Sequence, residues 1–246
     1  MRATNNSSIT LLFAFLVIIA LAASSCRIDE EDCIRGKGQL ITEIRTTPAF
    51  SSVDLRIAAR VIITQDSNAG VEVKTYNNLQ PEIFTYVNGS TLIVDADRCI
   101  RNRPDEIEVF IWAPDFSKIR LSGSGSIQST NVLDVPDIDL HISGSGSIDV
   151  ALNTAMVYST VSGSGSIYIE GGAYEHNVLI SGSGWVESFA LHTERCNATI
   201  SGSGSAEVRV YERLVANISG SGNVRYKGHP GITSTISGSG RLIDAN

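Results

Sequence analysis

The sequence predicts an all-β fold, a right-handed parallel β-helix-like solenoid, and three features support this prediction. The motif Ser-Gly-Ser-Gly occurs seven times. Successive motifs are 21, 19, 19, 20, 18 and 18 residues apart. An aliphatic residue directly precedes every motif, and a second apolar residue follows each motif at a fixed offset. A period of about 19 residues is typical of units that bury their apolar faces by stacking on their neighbours. The motifs start at Ser122, Ser143, Ser162, Ser181, Ser201, Ser219 and Ser237.

Each repeat is predicted to be extended, because side chains in a strand alternate between two faces. On that pattern Leu121, Gly123, Gly125 and Ile127 share the inner face, and the serines lie outside. Glycines on the inner face would let the coil turn or narrow. Two glycines per motif would cost a helix about 2 kcal/mol, which argues against helical repeats. The inner columns are Leu121, Ile142, Val161, Ile180, Ile200, Ile218 and Ile236, and then Ile127, Ile148, Ile167, Val186, Ala206, Val224 and Leu242.

Residues 40–118 contain β-rich runs separated by turn signals, without a linker before the repeats at 119–246. We therefore expect one domain over 40–246, in which 40–118 supplies irregular first rungs or a cap. The predicted strands are Val53–Arg56, Ala59–Gln65, Val71–Thr75, Ile83–Val87, Thr91–Asp95 and Glu108–Trp112.

The first 25 residues have the three regions of a secretory signal peptide: a basic start at Arg2, an apolar run over 11–23, and small residues before Cys26. Thirteen apolar residues are too few to span a bilayer, which takes about 20. We expect this segment to be removed and the chain to be exported across the inner membrane.

The residues around the end of this segment resemble a bacterial lipobox, in which a cysteine is acylated and becomes the new N-terminus. Here Cys26 takes that place, although Ala23 stands where the motif usually has Leu. The resemblance implies a lipid-modified Cys26 and an anchor in the membrane, with 26–39 as a tether. The alternative is ordinary cleavage after Ala22. The acidic run at 29–32 resembles a surface-export signal, or is a solvated tether.

Three cysteines remain if Cys26 is acylated, so at most one intrachain pair forms among them. Cys33 and Cys99 both lie outside the repeats, which favours a disulfide between them. Cys196 lies between two motifs and is expected to be a lone buried or edge thiol.

The composition and motifs exclude several functions. The net charge is −7, which argues against nucleic acid as a partner, because that affinity depends on clustered Lys and Arg. The glycine spacing lacks the Lys-Ser/Thr ending of a phosphate loop, and the turns hold Ser where a calcium repeat needs Asp. No Gly-x-Ser-x-Gly elbow is present, and the four histidines share no column. We therefore expect no catalytic residue, metal or cofactor.

One outward column is a candidate ligand surface. It contains Asp149, Tyr168, Glu187 and Glu207, preceded by Gln128 and followed by Arg225. Carboxylates with an aromatic neighbour can contact a glycan, and β-helix lyases and hydrolases build sites from such lines. A polar outer column is also what any soluble solenoid shows. Catalysis would require these acids to stand in one cleft with a basic residue, at a defined separation.

The order of motifs resembles the GIN domain, the head domain of auto-transporter adhesins, over about residues 40–243. The segments that carry the resemblance are Phe50–Val53, Val61–Gln65, Val87–Val94, the Ser-Gly-Ser-Gly repeats and Val224–Pro230. The resemblance implies a secreted or surface β-solenoid of a Bacteroidetes-type lipoprotein, and it brings no catalytic residues.

These observations predict a non-enzymatic lipoprotein of the outer membrane or cell surface that presents a rigid solenoid for adhesion. Its expected partners are the membrane, through the lipid, and a glycan or envelope protein. A polysaccharide-degrading enzyme is the alternative. Self-association is also expected, because a solenoid ends in open rungs and Leu242 and Ile243 leave little material to cap them.

Overall fold

The computed structural model describes residues 33–101 and 106–246 of the 246-residue chain. Residues Ile34–Asn246 form one compact unit, and the other unit, Met1–Cys33, is described only at its last residue. The predicted signal peptide at 1–25, Cys26 and the acidic run at 29–32 lie outside the described residues.

The described part is almost entirely β and includes a 3-10 turn at Gln80–Glu82. No helix within the described ranges is long and apolar enough to cross a membrane. The strands are β1 (Leu40–Arg45), β2 (Ser52–Leu55), β3 (Arg60–Gln65), β4 (Gly70–Tyr76), β5 (Ile83–Asn88), β6 (Thr91–Ala96), β7 (Glu108–Ala113), β8 (Lys118–Gly123), β9 (Ser126–Gly144), β10 (Ser147–Gly163), β11 (Ser166–Gly182), β12 (Trp185–Gly202), β13 (Ser205–Gly220), β14 (Asn223–Lys227), β15 (Gly231–Gly238) and β16 (Arg241–Asp244).

The repeats form a parallel β-solenoid, as the sequence predicts. Each of β9 to β13 is 16 to 19 residues long and pairs in parallel with the next rung along both of its halves. We call the sheet of first halves wall A and the sheet of second halves wall B. At the N-terminal end, wall A continues into β3, β7, β4 and β1, and wall B continues into β8, β2, β6 and β5. At the C-terminal end, wall A continues into β14 and β16, and wall B continues into β15. Each Ser-Gly-Ser-Gly turn leads from wall B of one rung to wall A of the next.

Residues 40–118 extend both walls. The six strands predicted there are present, each within one residue of its predicted bounds. Their pairing does not follow chain order: β3 lies between β7 and β9 in wall A, and β2 lies between β6 and β8 in wall B. The outermost strands β1, β4 and β5 pair antiparallel. This region therefore supplies both the first rungs and an antiparallel border.

The inner columns are buried as predicted, except at the last rung, where Ile236 is 43% exposed.

The structure corrects the placement of the first glycine of each motif. Gly123 and its equivalents do not face the interior; they are corner residues with φ between +118° and +142°. A Cβ on Gly144 would lie 2.4 Å from the Gly123 carbonyl oxygen of the preceding rung, so this glycine allows the turns to stack.

The second glycine of each motif does face inward. A Cβ on Gly165 would lie 2.5 Å from Ile142 Cγ2 and 2.8 Å from the Gly146 carbonyl oxygen. The turns are also joined by main-chain hydrogen bonds, because Ser145 and Gly146 both donate their N–H to the Gly123 carbonyl at 3.0 Å. Glycine is thus required at the two positions for different reasons: the first position has a positive φ, and the second has no space for a side chain beside the core.

Candidate functional site

The predicted outward column is a straight line across wall A. In the parallel register Asp149 is opposite Tyr168, Tyr168 is opposite Glu187, and Glu187 is opposite Glu207. Gln128 precedes Asp149 in the same line, and Arg225 follows Glu207. Neighbouring strands are roughly 4.8 Å apart, so successive side chains of the column are within reach of a single extended ligand.

Exposure divides this column into two parts. Asp149, Tyr168 and Glu187 are exposed, and the Tyr168 ring is 41% accessible. Glu207 is buried, and its Oε1 accepts a hydrogen bond from Nη1 of Arg225. The carboxylate of Glu207 is therefore occupied by an ion pair, and the accessible acidic part of the column ends at Glu187.

Two bulges make the outer face of wall A uneven, and they account for the longer intervals between motifs. In the 21-residue interval Ser129, Thr130 and Asn131 stand opposite the single residue Val150, where the register shifts. In the 20-residue interval β12 carries one residue more than β11 between Glu187 and Ala190. Extra residues in one strand bend it and re-aim its side chains.

Two hollows lie at these bulges and share Asp149 and Glu170. One, of about 380 Å³, is lined by Gln128–Val132, Asp149, Ala151 and Glu170. The other, of about 250 Å³, is lined by Asp149, Tyr168, Ile169, Glu170, Glu187, Phe189 and Ala190. We call the two together the acidic groove. The sequence did not identify Glu170 and Phe189 as part of it, although the irregular intervals around them were the available signal.

Phe189 closes the groove on the side of the later rungs. The Phe189 carbonyl accepts a hydrogen bond from Arg209 Nε at 2.8 Å, which holds the bulge. The Lys227 Nζ atom lies 4.6 Å from the Phe189 ring centroid, and the Arg225 guanidinium lies 5.8 Å from it. Cation–π contacts of this kind orient the ring. The groove thus has carboxylates along its length and an aromatic ring fixed at one end.

Polar residues also occur inside the solenoid. Ser159 Oγ lies 2.9 Å from His176 Nε2, and both side chains are buried; Cys196 follows His176 in the register. Burial lowers the pKa of His176 to about 3 and raises the pKa of Cys196 to about 12. The imidazole therefore stays neutral and the thiol stays protonated at pH 7. Ser159 and His176 satisfy each other within the core, and all three buried groups face away from any external substrate.

Cys33 and Cys99 are both disulfide-bonded, whereas Cys196 is a free thiol. The residue after Cys33, Ile34, forms a parallel bridge with Ile100 and donates its N–H to the Cys99 carbonyl at 2.8 Å. The pairing of Cys33 with Cys99 stays a prediction.

Within the described ranges no group of three or more His, Cys, Asp or Glu side chains could hold a metal ion. The strand β15 pairs with β13 on one side, and all eight of its residues are exposed. Self-association through such an edge stays a prediction.

Known structures share this fold. A "putative adhesin" from Bacteroides fragilis superimposes with a TM-score of 0.81 at 23% identity, covering 86% of this chain and 99% of that one. A "putative lipid binding protein" from Parabacteroides distasonis has a TM-score of 0.74 at 22% identity, with 87% and 99% covered. A "putative adhesin" from Parabacteroides merdae has a TM-score of 0.71 at 22% identity, with 87% and 100% covered. A search of curated protein sequences finds no match.

A family model covers most of the solenoid. It matches residues 49–230, which run from just before β2 to just before β15. Six of the seven motifs, the non-sequential first rungs and both bulges of the acidic groove fall within this match, and the motif at Ser237 lies beyond it. The chain therefore belongs to the family described as "Putative auto-transporter adhesin, head GIN domain".

Proposed function

We propose that this protein is a non-enzymatic adhesin of the cell envelope, anchored by an acylated Cys26, and that its acidic groove binds a neutral glycan. The observation that carries the proposal is the line of Asp149, Tyr168 and Glu187, exposed side by side on successive rungs. Five consecutive parallel rungs hold this line on a rigid sheet rather than on loops.

The chemistry of the groove suits hydroxyl-rich ligands. Ionised carboxylates only accept hydrogen bonds, so Asp149, Glu170 and Glu187 can each take hydrogens from sugar hydroxyls. The accessible Tyr168 ring and Phe189 offer apolar faces on which a sugar ring can stack. Three carboxylates in one groove repel an anionic ligand, which is why the proposal specifies a neutral glycan.

A lipid ligand is less consistent with these features, although one structural neighbour is named a lipid-binding protein. An acyl chain needs a deep apolar cavity. The larger hollow is lined mainly by polar side chains, and the smaller one has three carboxylates beside its apolar residues. The described interior is filled by buried aliphatic residues.

Binding without catalysis is the better account of the carboxylates. A glycosidase needs an acid and a second carboxylate at a defined separation across the scissile bond. Glu207 is buried and paired with Arg225, while Asp149 and Glu187 are two rungs apart, roughly 9.6 Å, with Tyr168 between them. This separation is too wide for a retaining glycosidase and lies at the upper limit for an inverting one. The family description and the neighbours named as adhesins also point to binding. Incubation with candidate polysaccharides should release no new reducing ends and no unsaturated products, and release of either would establish the enzyme alternative.

The anchor is tested on whole cells. We expect the intact mass of the mature protein to show a diacyl or triacyl adduct on Cys26, and external protease to remove the protein from intact cells. A Cys26→Ala variant should lack the adduct and leave the membrane fraction. An unmodified chain that begins at Ala23 and resists external protease would contradict both the anchor and the surface location.

A further inference from the structure

A second cavity lies on wall B, away from the acidic groove. It has a volume of about 340 Å³ and is built from β2, β6 and β8. The residues that matter for its chemistry are Asp54, Arg56, Asn88, Ile93, Lys118 and Arg120. Because β2 pairs with β6 on one side and with β8 on the other, these residues come from three segments far apart in the sequence.

Asp54 is the unusual residue of this cavity. It stands in the middle of β2, between Ile93 of β6 and Arg120 of β8, and it is 6% exposed. Its Oδ2 accepts a hydrogen bond from Arg56 Nε at 2.9 Å. Its Oδ1 is buried and has no hydrogen-bond partner among the described residues. A buried acceptor without a donor is costly, so its presence in a cavity wall indicates a donor supplied by a ligand.

The positive charges around Asp54 are not equivalent. Arg56 is held by Asp54 and by Asp95, whose Oδ2 lies 3.2 Å from Arg56 Nη1. The Lys118 Nζ atom lies 2.6 Å from Asp139 Oδ2. Arg120 is exposed and forms no ion pair within the described part of the chain. The cavity therefore offers one guanidinium with its donors free, next to one carboxylate oxygen without a donor.

The charge of Arg120 is also felt by its neighbour in the sheet. His141 stands opposite Arg120 on β9, and its pKa is lowered by burial first and by the charge of Arg120 second. The Asp139 carboxylate acts on His141 in the opposite direction. Within the cavity, Arg120 is therefore the cation whose charge no neighbouring carboxylate matches.

We propose that this cavity binds a carboxylate-bearing sugar unit. The Arg120 guanidinium pairs with the sugar carboxylate, because its planar fork matches a carboxylate in two parallel hydrogen bonds. A hydroxyl of the same sugar donates to Asp54 Oδ1, the acceptor that has no donor among the described residues. Asn88 supplies a further amide for ring hydroxyls, and Ile93 provides an apolar contact for the C–H face of the ring.

A hydroxyl is a better donor to Asp54 than an ammonium group would be. The Asp54 charge is already matched by Arg56 at 2.9 Å, so the missing element is a hydrogen-bond donor and not a second cation. The unmatched charge in the cavity is that of Arg120, which requires an anion. An acidic sugar meets both requirements in one molecule. This site lies on the other wall from the acidic groove and does not depend on the function proposed for that groove.

The proposal is tested by titration calorimetry of the full chain in detergent with three probes. Sodium glucuronate carries both the carboxylate and the hydroxyls, glucose lacks the carboxylate, and acetate lacks the hydroxyls. We expect glucuronate to bind at least tenfold more tightly than either glucose or acetate. Equal affinities for glucuronate and acetate would show a simple cationic surface and would overturn the proposal, as would the absence of glucuronate binding.

Two variants locate the site. Arg120→Ala should weaken glucuronate binding at least tenfold, whereas Arg120→Lys should restore only part of it, because the ammonium group lacks the fork geometry. Arg213→Ala is the matched control, since Arg213 is also exposed but lies on β13. Both arginines are surface residues, so the fold of the variants is checked by their unchanged thermal transitions. Equal loss of binding in the Arg120 and Arg213 variants would contradict the assignment.

Discussion

Substitution of the corner glycines separates backbone strain from rung stacking. Gly182 has φ of +126°, and a Cβ placed on it would lie 2.6 Å from the carbonyl oxygen of Gly163 in the preceding rung. Gly123 has a similar φ of +132°, but the nearest atom to its Cβ is the Arg56 carbonyl oxygen at 3.7 Å, an ordinary contact. Gly182→Ala and Gly123→Ala therefore share the strain of positive φ, and only Gly182→Ala adds a clash between rungs.

The expected magnitudes follow from these two terms. A left-handed backbone costs an alanine about 1–2 kcal/mol. Forcing an extra methyl group into a packed region costs about 1–3 kcal/mol more. We expect Gly123→Ala to lower the free energy of unfolding by about 1–2 kcal/mol and Gly182→Ala to lower it by about 2–5 kcal/mol. Gly172→Ala is the control, because Gly172 has open space for a Cβ, and its effect should stay within about 0.5 kcal/mol.

The assay is urea unfolding followed by circular dichroism at matched protein concentrations. Equal losses for Gly182→Ala and Gly123→Ala would refute the stacking argument, because the rung contact would then contribute nothing beyond strain. Stability of all three variants equal to that of the wild type would refute the corner assignment itself.

Further predictions concern the buried His176, the disulfide and the outward-facing serines of the motifs. Between pH 8 and pH 5 the free energy of unfolding should fall by about 2 kcal/mol. The reason is that His176 takes up a proton in the unfolded chain below its ordinary pKa of 6.5, whereas its pKa in the folded protein is about 3. A stability that does not change with pH in urea titrations would contradict this. Dithiothreitol should lower the stability by about 4 kcal/mol if Cys33 and Cys99 close a loop of about 65 residues, and peptide mapping without reduction should give the linked fragments. Ser159→Ala should cost about 1–3 kcal/mol, since it leaves His176 Nε2 buried without its 2.9 Å partner. Ser183 is exposed, so Ser183→Ala should change the free energy of unfolding by less than about 0.5 kcal/mol. Equal losses for Ser159→Ala and Ser183→Ala would show that the outer serines also stabilise the fold.

The repeat region could be predicted well because its alternation is encoded by side chains. Leu121 and Ile127 differ sharply from the serines beside them, and both are buried. The first glycine could not be placed in the same way, since a residue without a side chain fits either face of a strand. Its role depends on the carbonyl of the preceding rung, which becomes visible only when the turns are stacked.

The candidate sites show the same division. The register that aligns Asp149 with Tyr168 follows from the repeat, so the column could be predicted from spacing alone. The contribution of Phe189 depends on a bulge, and intervals of 20 and 21 residues indicate extra residues without saying where they project. The wall B cavity could not be predicted, because the pairing of Asp54 with Arg120 depends on a strand order that does not follow the chain.

Binding of the purified protein to an array of neutral and acidic oligosaccharides tests whether the acidic groove binds a neutral glycan. We compare the wild type with Tyr168→Ala and with Asp149→Asn combined with Glu187→Gln. The control is Tyr158→Ala, because Tyr158 lies on wall B and is 44% exposed, close to the 41% of Tyr168. We expect a neutral oligosaccharide whose binding falls at least tenfold in both groove variants and is unchanged in the control. Binding that is absent for every neutral glycan, or that survives both groove variants, would contradict it.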